Sequence, residues 1–445
     1  MGNISYPSYT LGRPDSVTFP GGTRSYAYDA LARLEEINST NLDYAYSYDK
    51  LGNILTKETE HGTYGYEYDD LFRLTDVTNP TRDNENYSYD PVGNRLTASG
   101  VTGTIDHNAN NELRLYGDIS FDYDANGNLT EKTSASERWA YGYNVQNRLV
   151  RVEQDDVLVA EYGYDPFGRR LWKAVEGTRT YFLYADEGLV AEYDDSGNEI
   201  RSYGYRPDST WGTNPLWLKE GGEYSWYQND HLGTPQKLID SSGTVVWSAT
   251  YSAFGEAQIQ VETMTNNLRF PGQYYDVETG LHYNWFRYYD PEIGRYTQAD
   301  PIGFGGGDEN LYAYVRNNSV KSSDPQGLVV GELTIGGFTI GGPPGAAAGH
   351  IIGLGILGAG YLTCRANGGC DEMPHLTVGG PPAAIGGYPE VPPRSPFFPP
   401  PAAFWPDTPP MICNEEDLPY FPPEDTWHEE TKKEAKDPLS LIHIS

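Results

Sequence analysis

A chain of 445 residues with a formal net charge of −32 repels phosphate backbones and anionic membrane surfaces, which argues against nucleic acid as a partner for its repeat body. Only 38% of residues are hydrophobic, and 37 tyrosines predict an aromatic, hydrogen-bonded core rather than an aliphatic one. Cys364, Cys370 and Cys413 all fall in the last third, so no disulfide framework braces residues 1–363.

The opening Met1-Gly-Asn-Ile-Ser-Tyr6 has no basic stretch leading into an apolar run, so no signal peptide is predicted in this chain. Position 6 also lacks the Ser or Thr of a myristoylation signal. The chain starts inside a repeat pattern, which reads as an internal start or a fragment.

Copies of one unit then follow, among them Tyr26-Ala-Tyr28-Asp29, Tyr46-Ser-Tyr48-Asp49, Tyr66-Glu-Tyr68-Asp69, Tyr87-Ser-Tyr89-Asp90, Phe121-Asp-Tyr123-Asp124, Tyr141-Gly-Tyr143-Asn144 and Tyr162-Gly-Tyr164-Asp165. The last residue of each recurs every 20 or 21 positions, except for one gap of 34 that holds a degenerate copy around 106–113. Tyr-x-Tyr puts two rings on one face of a strand. Asp opens a turn, Gly or Asn supplies positive φ, and the following residues start the return strand. Each unit is therefore predicted to be a β-hairpin, and such hairpins must stack side by side to be stable. The tyrosines read as a cross-strand packing ladder. Carbohydrate binding by exposed copies is the alternative.

From about Tyr224 the motifs change. Asp230-His231-Leu-Gly233-Thr234-Pro235 leads through Arg269-Phe-Pro271-Gly272-Gln273 to Arg287-Tyr-Tyr-Asp290-Pro291, Gly294-Arg295-Tyr296 and Asp300-Pro301-Ile-Gly303-Phe304. Asn310-Leu-Tyr312-Ala-Tyr314 and Asp324-Pro325-Gln-Gly327-Leu328 follow.

In these units and this ordered series the chain resembles the RHS/YD-repeat family, and 224–328 resembles its RHS repeat-associated core domain. The resemblance implies an all-β fold of repeated hairpins forming part of a spiralling hollow β-shell, with a Gly/Pro-rich irregular tail. It divides the chain into a hairpin array over 1–223, a core domain over 224–328 and a variable tip over 329–445. It implies a self-processing toxin-delivery shell, secreted or at the cell surface. The partners it implies are the chain's own tip as encapsulated cargo, an N-terminal shell or secretion-apparatus region, and an immunity protein. No cofactor is implied. The autoprotease motif of the family maps onto Arg287, Asp290 and Asp300, and the cut onto the bond between Leu328 and Val329, with Asp324, Pro325 and Gly327 as the cleavage motif.

Two neighbouring carboxyls suit that chemistry, because both cannot ionise cheaply and one holds a proton while the other accepts one from water. An adjacent arginine can orient one of them or stabilise the developing oxyanion. Read without the resemblance, Asp-Pro-x-x-Gly and Asp-Pro-x-Gly are turn sequences. The resemblance moves Asp290 and Asp300 to catalysis and leaves Asp324 as a turn residue beside the cut. Ser319, Ser323 and Phe304 depart from the family pattern.

Beyond Leu328 the sequence turns Gly-rich and apolar, with an uncharged run over 345–362 of borderline length for a membrane span. Residues 379–423 are Pro-rich and predict an extended linker, and 427–436 is a charged stretch of helical propensity. The terminal 439–445 resembles translated adapter DNA. No nuclease, deaminase or transferase constellation is legible in the tip. The eight histidines are scattered singly, and Cys364-x5-Cys370 lacks partner pairs, so no metal site is predicted. Two readings from other classes stand beside the delivery shell: an uncleaved carbohydrate-binding surface protein, and an inert rearranged fragment.

Overall fold

Tyr-x-Tyr alternation produces antiparallel hairpins along the chain. The computed structural model describes residues 4–10, 13–206 and 209–328, together with the short strands Gly331–Glu332, Thr334–Ile335 and Phe338–Thr339. Among the described residues there is no α-helix, only two short 3-10 turns at Gly303–Gly306 and Val315–Asn317. None of these is long and apolar enough to cross a membrane. The three cysteines, the apolar run, the Pro-rich stretch and the charged stretch of the tip lie outside the described residues, as does Val329.

Strands follow one another in chain order through two sheets. One has nine strands from Ser16–Phe19 to Arg95–Ala98, and the other sixteen from Ile105–His107 to Ala257–Glu262. The second sheet runs through residue 224 without a break, because ladder hydrogen bonds need only backbone and are indifferent to a change of side-chain motif.

The repeat Asp builds its turn directly. Asp49 Oδ1 accepts the N–H groups of Leu51 and Asn53, each at 2.8 Å, and Oδ2 accepts Asn53 Nδ2 at 2.8 Å. The same pattern recurs at Asp29, Asp69, Asp90, Asp124 and Asp165. The third residue after Asp has positive φ, as glycine does at Gly52 (82°) and Gly127 (78°), although Ala32 (61°) and Phe72 (64°) occupy it in two turns. Immediately before the Asp the register slips, as at Ser47/Tyr48 and Glu67/Tyr68. These recurrent bulges bend the strand and raise its twist.

Each unit also reaches back to its predecessor. The hydroxyls of Tyr28, Tyr48, Tyr68, Tyr89, Tyr164 and Tyr184 donate to main-chain carbonyls 14 or 15 residues upstream. Arg33 and Arg73 lie over the rings of Tyr48 and Tyr89 in the next unit, at 4.5 and 5.0 Å. Five residues after the turn Asp or Asn stands a core side chain such as Leu34, Ile54, Leu74, Leu129 or Leu149, all about fully buried. The tyrosine rings are thus used for packing and their hydroxyls for joining hairpins.

Residues 264–328 are a different structure. They contain a four-stranded sheet of Tyr274–Tyr275, His282–Asn284, Arg287–Asp290 and Arg295–Tyr296. This segment lies along the Asp turns and bonds to several of them in succession: Lys321 Nζ to Leu51 O, Asn318 Nδ2 to Phe72 O, Asn317 Nδ2 to Gly93 O, Tyr312 Oη to Gly127 O and Gln298 Nε2 to Asn147 O. Its Leu268, Tyr274, Leu281, Tyr283, Tyr288 and Ile293 complete the core of the sixteen-stranded sheet.

Candidate active site

Arg287–Asp290 is a strand, so side chains two apart share a face and side chains three apart do not. Tyr288 and Asp290 point toward the sixteen-stranded sheet. There Tyr288 Oη meets Tyr164 Oη at 3.1 Å, and Asp290 Oδ2 takes Lys132 Nζ at 3.3 Å. Arg287 points the other way, into the loops of residues 300–328.

On that side its guanidinium organises everything nearby. Nε donates to Gly327 O at 2.7 Å and Nη1 to Leu311 O at 3.2 Å. Nη2 alone holds two carboxylates, Asp324 Oδ2 at 3.0 Å and Asp300 Oδ2 at 3.1 Å. All three side chains are nearly inaccessible to solvent. The guanidinium carbon sits 3.5 Å from the centre of the Tyr296 ring, whose hydroxyl reaches Asp324 Oδ2 at 2.8 Å. Asn284 Nδ2 donates to Tyr296 Oη at 2.9 Å and to the main-chain oxygen of Asp324 at 2.8 Å.

The structure does not bring Asp290 to this cluster. Asp290 instead shapes its own turn, accepting Glu292 N–H at 3.0 Å on Oδ1 and Gly294 N–H at 2.9 Å on its carbonyl. Asp324, read from the sequence as a turn residue, does close a turn, with Gly327 N–H on its carbonyl and Leu328 N–H on Oδ1 at 2.9 Å. Its other oxygen belongs to the arginine cluster. The strand period excludes Arg287 and Asp290 from a common face, and the paired motifs Asp300-Pro-Ile-Gly303 and Asp324-Pro-Gln-Gly327 were the available signal for the second carboxyl. Tyr296, Asn284, Gly306 and Asp308 had no sequence signal of this kind.

Leu328 lies against the pair. A methyl group built on Gly306 would stand 2.7 Å from Leu328 O and 2.8 Å from Asp300 Oδ2, so both oxygens crowd the space that the glycine leaves open. Pro325 and Gly327 carry the turn that delivers Leu328, and Gly327 packs so tightly that a Cβ would sit 2.5 Å from Asn284 O. Ser322–Ser323 pairs antiparallel with Gly331–Glu332, so Leu328 comes between two paired strands in the chain. A cavity of about 10 Å3 among Arg287, Asp300, Asp308, Asp324 and Leu328 has room for one water.

Burial pushes the Asp300 carboxyl up to about 6, reinforced by the negative charges of Asp324 and Asp308 and opposed by Arg287. Asp308 is raised in the same direction by burial, and its Oδ2 is enclosed without a hydrogen-bond partner. One member of the pair can therefore carry a proton near neutrality. A larger cavity, about 650 Å3, lies elsewhere, bordered by Arg82, Tyr87, Arg95 and Phe254. Among the described residues, no three His, Cys, Asp or Glu side chains are grouped as metal ligands.

The hairpin ladder and the segment across its turns have a counterpart among known proteins. The profile of the Teneurin YD-shell family matches residues 54–318. The chain belongs to that family. The chain is 33% identical over 267 residues to double-stranded DNA deaminase toxin A of Burkholderia cenocepacia, covering 52% of this chain and 18% of the relative. Toxin protein Tse5 of Pseudomonas aeruginosa is 31% identical over 270 residues, covering 52% and 20%. The tRNA nuclease WapA of Bacillus subtilis is 33% identical over 241 residues, covering 52% and 10%. The YD-shell chain thus spans a fifth or less of the length of these relatives. Among solved structures, the crystal structure of TcdB2-TccC3-TEV superposes with a TM-score of 0.60 at 21% identity, over 73% of this chain and 19% of that one. At that identity the likeness concerns the fold.

Proposed function

We propose that this YD-shell chain is the C-terminal portion of a toxin-delivery shell that cuts itself between Leu328 and Val329. Asp300 and Asp324 act as the aspartic pair and Arg287 as their holder. The observation that carries the reading is the single nitrogen, Arg287 Nη2, bridging both carboxylates beside the carbonyl of Leu328. The released tip, 329–445, is the cargo, an N-terminal shell or secretion-apparatus region is its partner, and an immunity protein protects the producing cell. Relatives that are themselves named as toxins support delivery as the purpose.

The chemistry balances on two carboxyls and one water. One carboxylate takes a proton from water as its oxygen bonds to the Leu328 carbonyl carbon, while the other carboxyl gives its proton to the carbonyl oxygen. Collapse of the tetrahedral intermediate breaks the C–N bond and returns a proton to the nitrogen of Val329. The products are a carboxylate on Leu328 and an amine on Val329.

The test is the intact mass of the purified 445-residue chain, measured near neutral pH because Asp-Pro bonds break in hot acid. Two pieces, 1–328 and 329–445, are expected. Asp300→Asn and Asp324→Asn should each slow the cut by about a hundredfold or more, since an amide neither holds the shared proton nor activates water. Asp290→Asn should still be cut. An uncut wild-type chain, a cut between Asp324 and Pro325, or a cut abolished by Asp290→Asn but retained in Asp324→Asn would each overturn the proposal.

A further inference from the structure

Asp300 and Asp324 stand in the same four-residue motif, yet their surroundings differ, and Asp324 accepts a side-chain hydroxyl, that of Tyr296. We propose that Tyr296 is a positioning residue whose hydroxyl makes Asp324 the proton acceptor of the pair and leaves Asp300 to hold the proton. This rests on the cleavage reading above and assigns the two roles within it.

The hydrogen-bond inventory forces the direction. Asn284 Nδ2 is a donor, and its placement against the main-chain oxygen of Asp324 identifies it as the NH2 side of the amide. The Tyr296 oxygen accepts from that NH2 at 2.9 Å, so its single proton is directed to Asp324 Oδ2 at 2.8 Å. Asp324 thereby receives Arg287 Nη2 and the Tyr296 hydroxyl on Oδ2 and Leu328 N–H on Oδ1. Asp300 receives Ile302 N–H on Oδ1 and shares only the arginine nitrogen on Oδ2. Donors favour the charged form of a carboxylate, so the hydroxyl biases the pair toward a negative Asp324.

Ring and hydroxyl do separate jobs. The ring lies flat beneath the guanidinium at 3.5 Å and keeps Arg287 in the plane that reaches both carboxylates. Tyr296 is 1% exposed, and its hydroxyl bonds to Asn284 and Asp324 rather than to Leu328. It acts through Asp324 and is no reactant. The charged and titratable groups set around the pair include Arg287 and Tyr296 from neighbouring strands, Tyr314, Asp300 across the arginine, and Asp308, which lines the same small cavity. Only the hydroxyl of Tyr296 is removed by Tyr296→Phe.

The experiment follows cleavage of the full 445-residue chain, synthesised into denaturant and diluted into buffers from pH 4 to 8, by mass. Wild-type cleavage should trace a bell whose alkaline limb falls as pH rises through about 6, where Asp300 loses its proton. In Tyr296→Phe the alkaline limb should stay in place. The acid limb should move toward higher pH, because a donor to the proton-accepting carboxylate has been removed. Tyr296→Leu, which also removes the ring, should be slower at every pH. If Tyr296→Phe fails to refold, Asn284→Ala leaves the tyrosine present but its hydroxyl unheld, and must shift the acid limb in the same direction by a smaller amount. An acid limb unmoved in these variants while wild type is cut overturns the role of the hydroxyl. A wild-type chain uncut at every pH overturns the cleavage reading itself.

Discussion

At Gly306 a hydrogen stands where any other residue would push a methyl between Leu328 O and Asp300 Oδ2. Its backbone needs no left-handed freedom, so the requirement is for space alone. Gly306→Ala should lower stability and slow self-cleavage at least tenfold, since the Leu328 carbonyl and the Asp300 carboxyl would be forced apart. Appearance of the 1–328 fragment with time checks this, and wild-type kinetics would show that the contact is unimportant. The same scale explains why the structure sets Asp290 apart from Arg287. Asp290 is three residues from Arg287 and looks adjacent on paper, but a strand turns it to Lys132 on the opposite face. Asp324 is far along the chain and looks like punctuation, yet a turn returns it to 3.0 Å from the arginine.

Among elements, the hairpin turn is where local sequence has most authority. Asp69 Oδ1 accepts Leu71 and Arg73 N–H at 2.9 and 3.0 Å, and Oδ2 pairs with Arg73 Nε at 2.6 Å. Asp69→Ala strands two backbone donors and should destabilise the chain by about 1–2 kcal/mol, read as a lower denaturant midpoint. Asp69→Asn should be milder, because Asn144 already performs the same task with Oδ1 on Gln146 and Arg148 N–H. Turns of this kind also respond to acid. Asn198 and Ser242 side chains hold the Asp194 and Asp240 carboxyls below their usual range, so what these contribute is present above the unfolded-state value and is lost as pH falls through the folded one.

For the whole described unit, two arginines break the repeat where a leucine belongs. The position five residues after the turn Asp is apolar and buried in most units, but it is Arg95 after Asp90 and Arg170 after Asp165. Both are buried and both meet the 264–328 segment. Arg95 Nη1 donates to Ile293 O at 2.9 Å. Arg170 pairs with the fully buried Asp276, with Nη2 at 3.0 Å from Oδ1, and is ringed by Tyr162, Phe182, Tyr274 and Tyr283. These sites fix where the segment docks on the ladder. Arg170→Leu restores the repeat pattern yet should cost about 3–5 kcal/mol, because it strips Asp276 of its main counter-charge in a dry site. Arg170→Leu combined with Asp276→Leu should recover most of that loss. Unfolding midpoints of the single and double variants, read as a thermodynamic cycle, decide it, and equal losses in both would show that the pair is not what holds the segment.

Tyr-x-Tyr alternation and Asp turns every 20 residues determined the hairpins, their order and the all-β class, because each hairpin needs only its own strands and turn to close. The motifs around Arg287, Asp300 and Leu328 are short and locally spaced and read by themselves as turns; it is the family resemblance that marks them as a candidate site. Tertiary structure alone decided that the sheet continues past residue 224, that Arg95 and Arg170 receive the segment lying along the turns, and that Asp324 rather than Asp290 shares Arg287 with Asp300. Those outcomes depend on contacts between residues tens to hundreds of positions apart. Periodicity carries no information about which distant loop fills a given face, and only packing brings Leu328 O beside Asp300 across the bare backbone of Gly306.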